Sequence, residues 1–207
     1  ASATPRDAQA RWLSLLQVDP TDDEAADKTF DLLLADPDHA LAGEAAAPAT
    51  LAAPLYEQRG DFERLDLLLA LCAQPLEGDQ LVAMLQRQAT VRLGGLGDPK
   101  GAFESLATAL MLAPNASDLL AEVERTASMP DGVGDLRLGA VLLEAAASSD
   151  DPATARTLRI QAIGCFDHSG KDGANGVVEA CNAMLQVDSS DTVAVAKLDA
   201  MLEQEGD

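Results

Sequence analysis

Aromatic side chains are scarce in this chain: one Trp, one Tyr and four Phe among 207 residues. Cations are scarce too, with 14 Lys and Arg against 35 Asp and Glu, for a formal charge of −21. A polyanion with few rings to stack bases repels phosphate backbones and acidic lipid surfaces, so neither nucleic acid nor a membrane is an expected partner. No run approaches the roughly 18 apolar residues of a membrane-spanning helix. Histidine occurs only as His39 and His168. No sequence feature brings a nucleophile to either one, so no Ser-His-Asp or Cys-His set can be assembled. Gly94, Gly95 and Gly97 fall late in a helical stretch and follow no strand, which excludes a phosphate-binding loop. The three cysteines, Cys72, Cys165 and Cys181, have no CxxC spacing. With two histidines they supply too few soft ligands for zinc. They read as buried small residues in a reducing compartment, and a single Cys165–Cys181 pairing stays open. "ASATPRDAQARW" at the start has no apolar signal core, and together with the free thiols this suggests a cytoplasmic setting. The expectation is a protein that is not an enzyme and needs no cofactor or metal.

What is present is apolar surface of one kind. The apolar fraction is 47%, mostly Ala and Leu, which suits closely packed helices and provides little material for a sheet. Charge is spread evenly: residues 1–100 carry 8 basic and 17 acidic side chains, and residues 101–207 carry 6 and 18.

Glycine marks a regular interval. Gly-Asp stands at 60–61, 97–98, 134–135 and 206–207, and Gly170-Lys171-Asp172 fills the remaining slot, so the spacings are 37, 37, 36 and 36 residues. Self-similarity at such a period signals stacked helical repeats. Glycine can end a helix in the left-handed conformation without steric cost, and the Asp after it can cap the next helix. In "GDPKGAFESLATAL", Pro99 sits at the first helical position, where its missing amide costs nothing. Each Gly-Asp is therefore expected to be the corner of a helical hairpin.

A second set of marks lies half a period away. "LLQVDPTDDEAA" (15–26), "LLADPDHALA" (33–42), "LMLAPNASDLL" (110–120), "SSDDPATARTL" (148–158) and "MLQVDSSDTVA" (184–194) each close one apolar helix and cap the next. Between marks, apolar residues recur at three and four, as in Leu65, Leu68, Leu69 and Cys72, or Ala102, Phe103, Leu106 and Ala109. These signals predict an all-α chain of about eleven or twelve helices of roughly 12–17 residues. The bounds are 5–18, 22–35, 39–47, 50–59, 61–74, 78–94, 98–113, 116–128, 133–148, 152–168, 173–187 and 191–204. Pro37, Pro48 and Pro54 cut an Ala-rich stretch over 36–54, where an irregular or kinked helix pair is expected.

Two carboxylate clusters suggest calcium and fail on inspection. From Asp167, "DHSGKDGANGVVE" puts Lys171 in a ligand slot, Asp172 at the turn where Gly belongs, and Val178 where the closing Glu is needed. "DPTDDE" (19–24) lacks both the Gly and the closing Glu. Both read as helix caps. His39 reads as an exposed neighbour of a cap, and His168 as the last residue of a helix whose dipole favours a cation.

The spacing of these residues resembles the tetratricopeptide repeat. Leu93, Gly97, Ala102, Leu106, Ala109 and Pro114 fit its pattern throughout, and Tyr56, Gly60, Leu65, Leu69 and Cys72 nearly as well. Phe166 and Gly170 open a third copy, and Ala8, Trp12, Leu15 and Pro20 match the second half of one. The period exceeds the family's usual 34. Pro130 stands where an aromatic belongs, and "SGKDGANG" (169–176) lengthens one corner. The chain looks most like degenerate arrays in long bacterial proteins. The resemblance implies a single right-handed α-solenoid of antiparallel helix pairs over 1–207, forming a segment of a longer array. It also implies a concave groove lined by the first helix of each pair. By alignment of the copies, that groove would present Glu24, Asp27 and Asp31, then Met84, Arg87 and Val91, then Glu124, and later Thr157 and Ile160. The expected role is a non-catalytic scaffold that binds a protein or peptide, basic or amphipathic. The alternative is a structural spacer within a larger multi-domain protein.

Overall fold

A computed structural model of the chain describes residues 5–35 and 47–205. Every regular element among them is helical. The expected helix at 39–47, together with His39 and Pro37, lies essentially outside the described residues, as does Gly206. The fold divides into two compact units, Ala1–Ser105 and Leu106–Asp207.

In the first unit, α1 (Pro5–Val18) packs on α2 (Asp23–Ala35) across the "VDPTDD" corner. Asp19 Oδ1 accepts hydrogen bonds from the Thr21 amide at 3.0 Å and the Thr21 hydroxyl at 2.7 Å. Asp22 Oδ1 accepts from the Ala25 amide at 3.0 Å, satisfying one of the amides that a helix start leaves free. From residue 47, the described part of the proline-cut stretch enters two short helices, α3 (Ala47–Leu51) and α4 (Ala53–Arg59), separated by Ala52 alone. Pro54 falls in the first turn of α4, the one place in a helix that tolerates it. Gly60 then turns left-handed at φ +68°, and Asp61 caps α5 (Phe62–Ala73) by accepting from the Arg64 amide at 3.3 Å. The stripe Leu65, Leu68, Leu69 and Cys72 is fully buried, against Phe30, Leu33 and Tyr56 among others. Burying each leucine stabilises by about 1.5–3 kcal/mol.

The next helix, α6 (Gly78–Val91), runs into one π-helical turn over Arg92–Leu96. The wider turn matches what lies against it. A Cβ on Gly95 would sit 2.3 Å from the Phe62 ring, so the ring packs on bare backbone there. Gly97 follows at φ +62°, and both its amide and that of Asp98 reach the Arg92 carbonyl. Asp98 accepts from the Gly101 amide at 2.9 Å and so caps α7 (Pro99–Leu112), which crosses from the first unit into the second.

The second unit continues with α8 (Ser117–Ala127), α9 (Gly134–Ser148), α10 (Pro152–His168), a 3₁₀ turn over Gly170–Gly173, α11 (Ala174–Val187) and α12 (Thr192–Glu205). Consecutive helices from α8 to α12 pack on one another, and α9 also touches α11. Leu142, Ala145, Leu158, Ala162, Val177 and Cys181 contribute to its buried core.

Three corners depart from the expected form. At 134–135 the preceding helix has already ended at Ala127, because Pro130 cannot continue it and Asp131 turns left-handed at φ +61°. Gly134, at φ +75°, therefore heads α9 instead of closing α8, and Asp135 lies in the first turn without capping. At 170–172 the glycine is left-handed as expected, but the 3₁₀ turn intervenes and no side chain caps α11. At 113–117 the cap position is Ala116, which has no side-chain acceptor. The half-period corners at 19–22, 151 and 188–191 use Asp as expected.

Candidate functional site

The side chains expected to line a groove divide by what they touch. Asp27, on α2, is half-buried and already engaged. Its Oδ1 accepts from Arg59 Nη1 at 2.9 Å, from Arg64 Nη1 at 3.1 Å and from the Tyr56 hydroxyl at 3.3 Å. Arg59 also pairs with Asp23 and lies 5.7 Å from the Tyr56 ring centre, while Arg64 stacks 5.8 Å from that of Phe30. The Tyr56 hydroxyl shares its one proton between Asp27 and the Ala26 carbonyl, the latter at 3.1 Å, and burial pushes its pKa up, with Asp27 adding to the shift. This is a polar clasp between α2 and the α4–α5 corner. Arg87, on α6, is likewise taken up by the Ala49 carbonyl at 3.1 Å and Glu57 Oε1 at 2.9 Å. Met84 and Val91 are buried with the first unit's core.

In the second unit, Glu124 on α8 accepts from Gln161 Nε2 on α10 at 3.4 Å. Thr157 is exposed and donates to its own helix at the Ala153 carbonyl, and Ile160 is half-buried. Glu24 and Asp31 are exposed on α2, Asp31 lying 3.8 Å from Lys28. Of the expected set, Glu24, Asp31, Thr157 and Ile160 remain presented to solvent in whole or part. The others are committed to intramolecular contacts.

Those contacts have a sequence signal that helix-by-helix reading misses. The partners lie about one repeat apart: Asp27 with Arg59 and Arg64 at 32 and 37 residues, Glu57 with Arg87 at 30, Glu124 with Gln161 at 37. Asp167 with Lys197 at 30 and Arg156 with Asp191 at 35 follow the same rule. Asp191 is the most strongly built of these. It caps α12 by accepting from the Val193 and Ala194 amides and takes Arg156 Nε at 2.7 Å, with a second bond from Nη2 at 3.4 Å. The Arg156 guanidinium, more than the amides, holds the Asp191 carboxyl below the usual carboxylate range. In the first unit, Arg92 forms a comparable fork with Asp66 at 2.7 and 3.1 Å and donates also to the Gly101 carbonyl and the Ser105 hydroxyl, each at 3.0 Å.

One cleft in the second unit was not expected. It has a volume of about 440 Å³ and opens between α9 and α11, with α10 as its floor. Leu136, Ala140, Leu143 and Ala147 form the α9 wall, and Gly176 and Ala183 the α11 wall. Glu144 and Glu179 stand at its edges, both exposed, and Arg159 and Phe166 lie at the bottom. The Phe166 ring is held there because both flanking helices carry glycine: a Cβ on Gly139 or Gly176 would come within 2.8 or 2.6 Å of it. The Nε of Arg159 is buried without a hydrogen-bond partner. Ala140, Ala147 and Ala183 look like ordinary helix-packing alanines in the sequence, so nothing local distinguishes them as walls.

The thiols are not poised for chemistry. Burial pushes Cys72 and Cys165 up to about 11, with Asp135 and Glu124 adding to the shift at Cys165, and Cys181 is raised by burial as well. All three cysteines are free. Among the described residues no group of three or more His, Cys, Asp or Glu is placed to hold a metal, and no helix is long and apolar enough to cross a membrane. His168 ends α10 and lies 3.8 Å from Asp135. No protein-family model, curated protein or solved structure matches this chain.

Proposed function

We propose that this chain is a non-catalytic protein-interaction scaffold built from tetratricopeptide-like helix pairs, in which successive pairs form a right-handed α-solenoid and hold a protein or peptide segment. The observation that carries the reading is the one-period spacing of the polar contacts. Side chains engage partners about 30–37 residues away, as repeats do when each touches only its neighbours. Left-handed glycines at 60, 97 and 170 support the same register. A chain with 35 acidic and 14 basic residues suits a basic partner, whose association would be steered by charge and weakened by salt.

A spacer role is favoured by a specific observation: Asp27, Arg87 and Glu124, aligned to the groove, are occupied with contacts inside the chain. The two readings separate in a capture experiment with the immobilised chain and the double variant Glu24→Lys, Asp31→Lys. A scaffold that uses the first-helix face retains a discrete partner at low salt and loses it in the variant. Retention of nothing selective by either form would leave the spacer.

A further inference from the structure

We infer that the cleft between α9 and α11 is a docking groove for a basic amphipathic helical segment of a partner protein. This deepens the interaction reading and rests on it, but puts the contact on second helices of the pairs, away from the first-helix face that the resemblance implies.

Four features select that occupant. The α9 wall residues are spaced four, three and four apart (136, 140, 143, 147), so the groove follows three turns of helix, about 16 Å long. An open trough of that length suits side chains presented at i, i+4 and i+7. Secondly, alanine at 140, 147 and 183 and glycine at 176 leave the walls low, so a partner backbone can approach closely. Thirdly, the charge is complementary. Glu144 and Glu179 stand on opposite walls, in a unit with 6 basic and 17 acidic side chains, a net of −11 over residues 106–207. Arg137 lies 3.9 Å from Glu144, but that pair is exposed and offsets little. Finally, Arg159 at the floor constrains the pattern. Its cationic group disfavours a second cation below the rim, and its Nε–H lacks an acceptor. The segment should carry Lys or Arg where it meets the rim, with leucines and one hydroxyl or carbonyl acceptor toward the floor. A second copy of this chain is a poor occupant, since two bodies of charge −21 repel.

The test uses the intact chain and two fluorescent helical peptides with the same leucines at i, i+4 and i+7, one with flanking lysines and one with glutamates in their place. Anisotropy should report saturable binding of the lysine peptide and weakening as salt rises. Ala147→Leu, an exposed position that fills the trough without disturbing the core, should weaken binding by about tenfold or more. The pair Glu144→Gln, Glu179→Gln should weaken it several-fold, and circular dichroism should show unchanged helicity. Equal binding of the two peptides, or unchanged affinity in the Ala147→Leu and Glu→Gln variants, would overturn the groove. If affinity instead falls in Glu24→Lys, Asp31→Lys, the groove is wrong and the scaffold reading stands. If no form binds the lysine peptide, the groove is overturned, and the capture experiment alone then decides the scaffold.

Discussion

Replacing Gly97 by alanine and Gly164 by alanine should move stability in opposite directions. Gly97 ends the π turn at φ +62°, and a Cβ there would meet nothing within 4 Å. The cost is therefore purely conformational, about 1–2 kcal/mol for an L-residue held in the left-handed region. Alanine also stiffens the unfolded chain, which offsets about 0.4–1 kcal/mol, so a net loss near 1 kcal/mol is expected. Gly164 lies inside α10 with ordinary helical φ, and its Cβ would also meet open space. There alanine should stabilise by about 0.5–1 kcal/mol. Urea unfolding followed by circular dichroism reads both. With a slope of about 2 kcal/mol/M, the midpoint should fall by about 0.5 M for Gly97→Ala and rise by about 0.3 M for Gly164→Ala. Gly97→Asn should fall between Gly97→Ala and wild type, because asparagine tolerates the left-handed region better. A neutral or stabilising Gly97→Ala would refute the assignment of this glycine as an obligatory hairpin corner.

Gly139→Ala should cost about 1–3 kcal/mol by driving a methyl into the Phe166 ring, and Phe166→Leu should recover part of that loss in a double-variant cycle. The Arg156–Asp191 fork sets an acid limb. Because the folded carboxyl is depressed, its contribution is present above the unfolded value near 3.9 and is lost as pH falls through the folded one. Arg156→Ala should therefore destabilise only weakly at pH 7, since Arg156 is half exposed, and by less as the carboxyl protonates in acid; an equal loss at neutral and acid pH would contradict the charge assignment. Cys72 and Cys165, pushed to about 11, should alkylate at pH 8 on the order of a hundredfold more slowly than a free thiol, as read by mass spectrometry of the native protein.

The helices were legible because punctuation in this sequence is chemical. Asp19, Asp22, Asp61, Asp98, Asp151 and Asp191 all accept hydrogen bonds from backbone amides at the corners where their spacing placed them. The π turn at 92–96 was not legible, and the Phe62 ring that lies against its Gly95 comes from thirty-three residues upstream. Gly134-Asp135 departs because its helix stops at Ala127, within a residue of the expected end, so the glycine heads α9 and Asp135 does not cap it. The surroundings of the expected site residues were less legible. Asp27 and Arg87 looked like surface charges on their own helices, and their cross-repeat partners emerge only in the structure. The cleft needed the register of three helices at once, and Ala147 and Ala183 carry no sign of it in sequence.

Neighbour-to-neighbour coupling is most directly tested by hydrogen exchange on Leu142→Ala, a fully buried α9 side chain whose truncation should cost about 2–5 kcal/mol. Protection should fall in α8 to α11 while α1 and α2 exchange as in the wild type. An equal loss of protection in every helix would contradict that coupling.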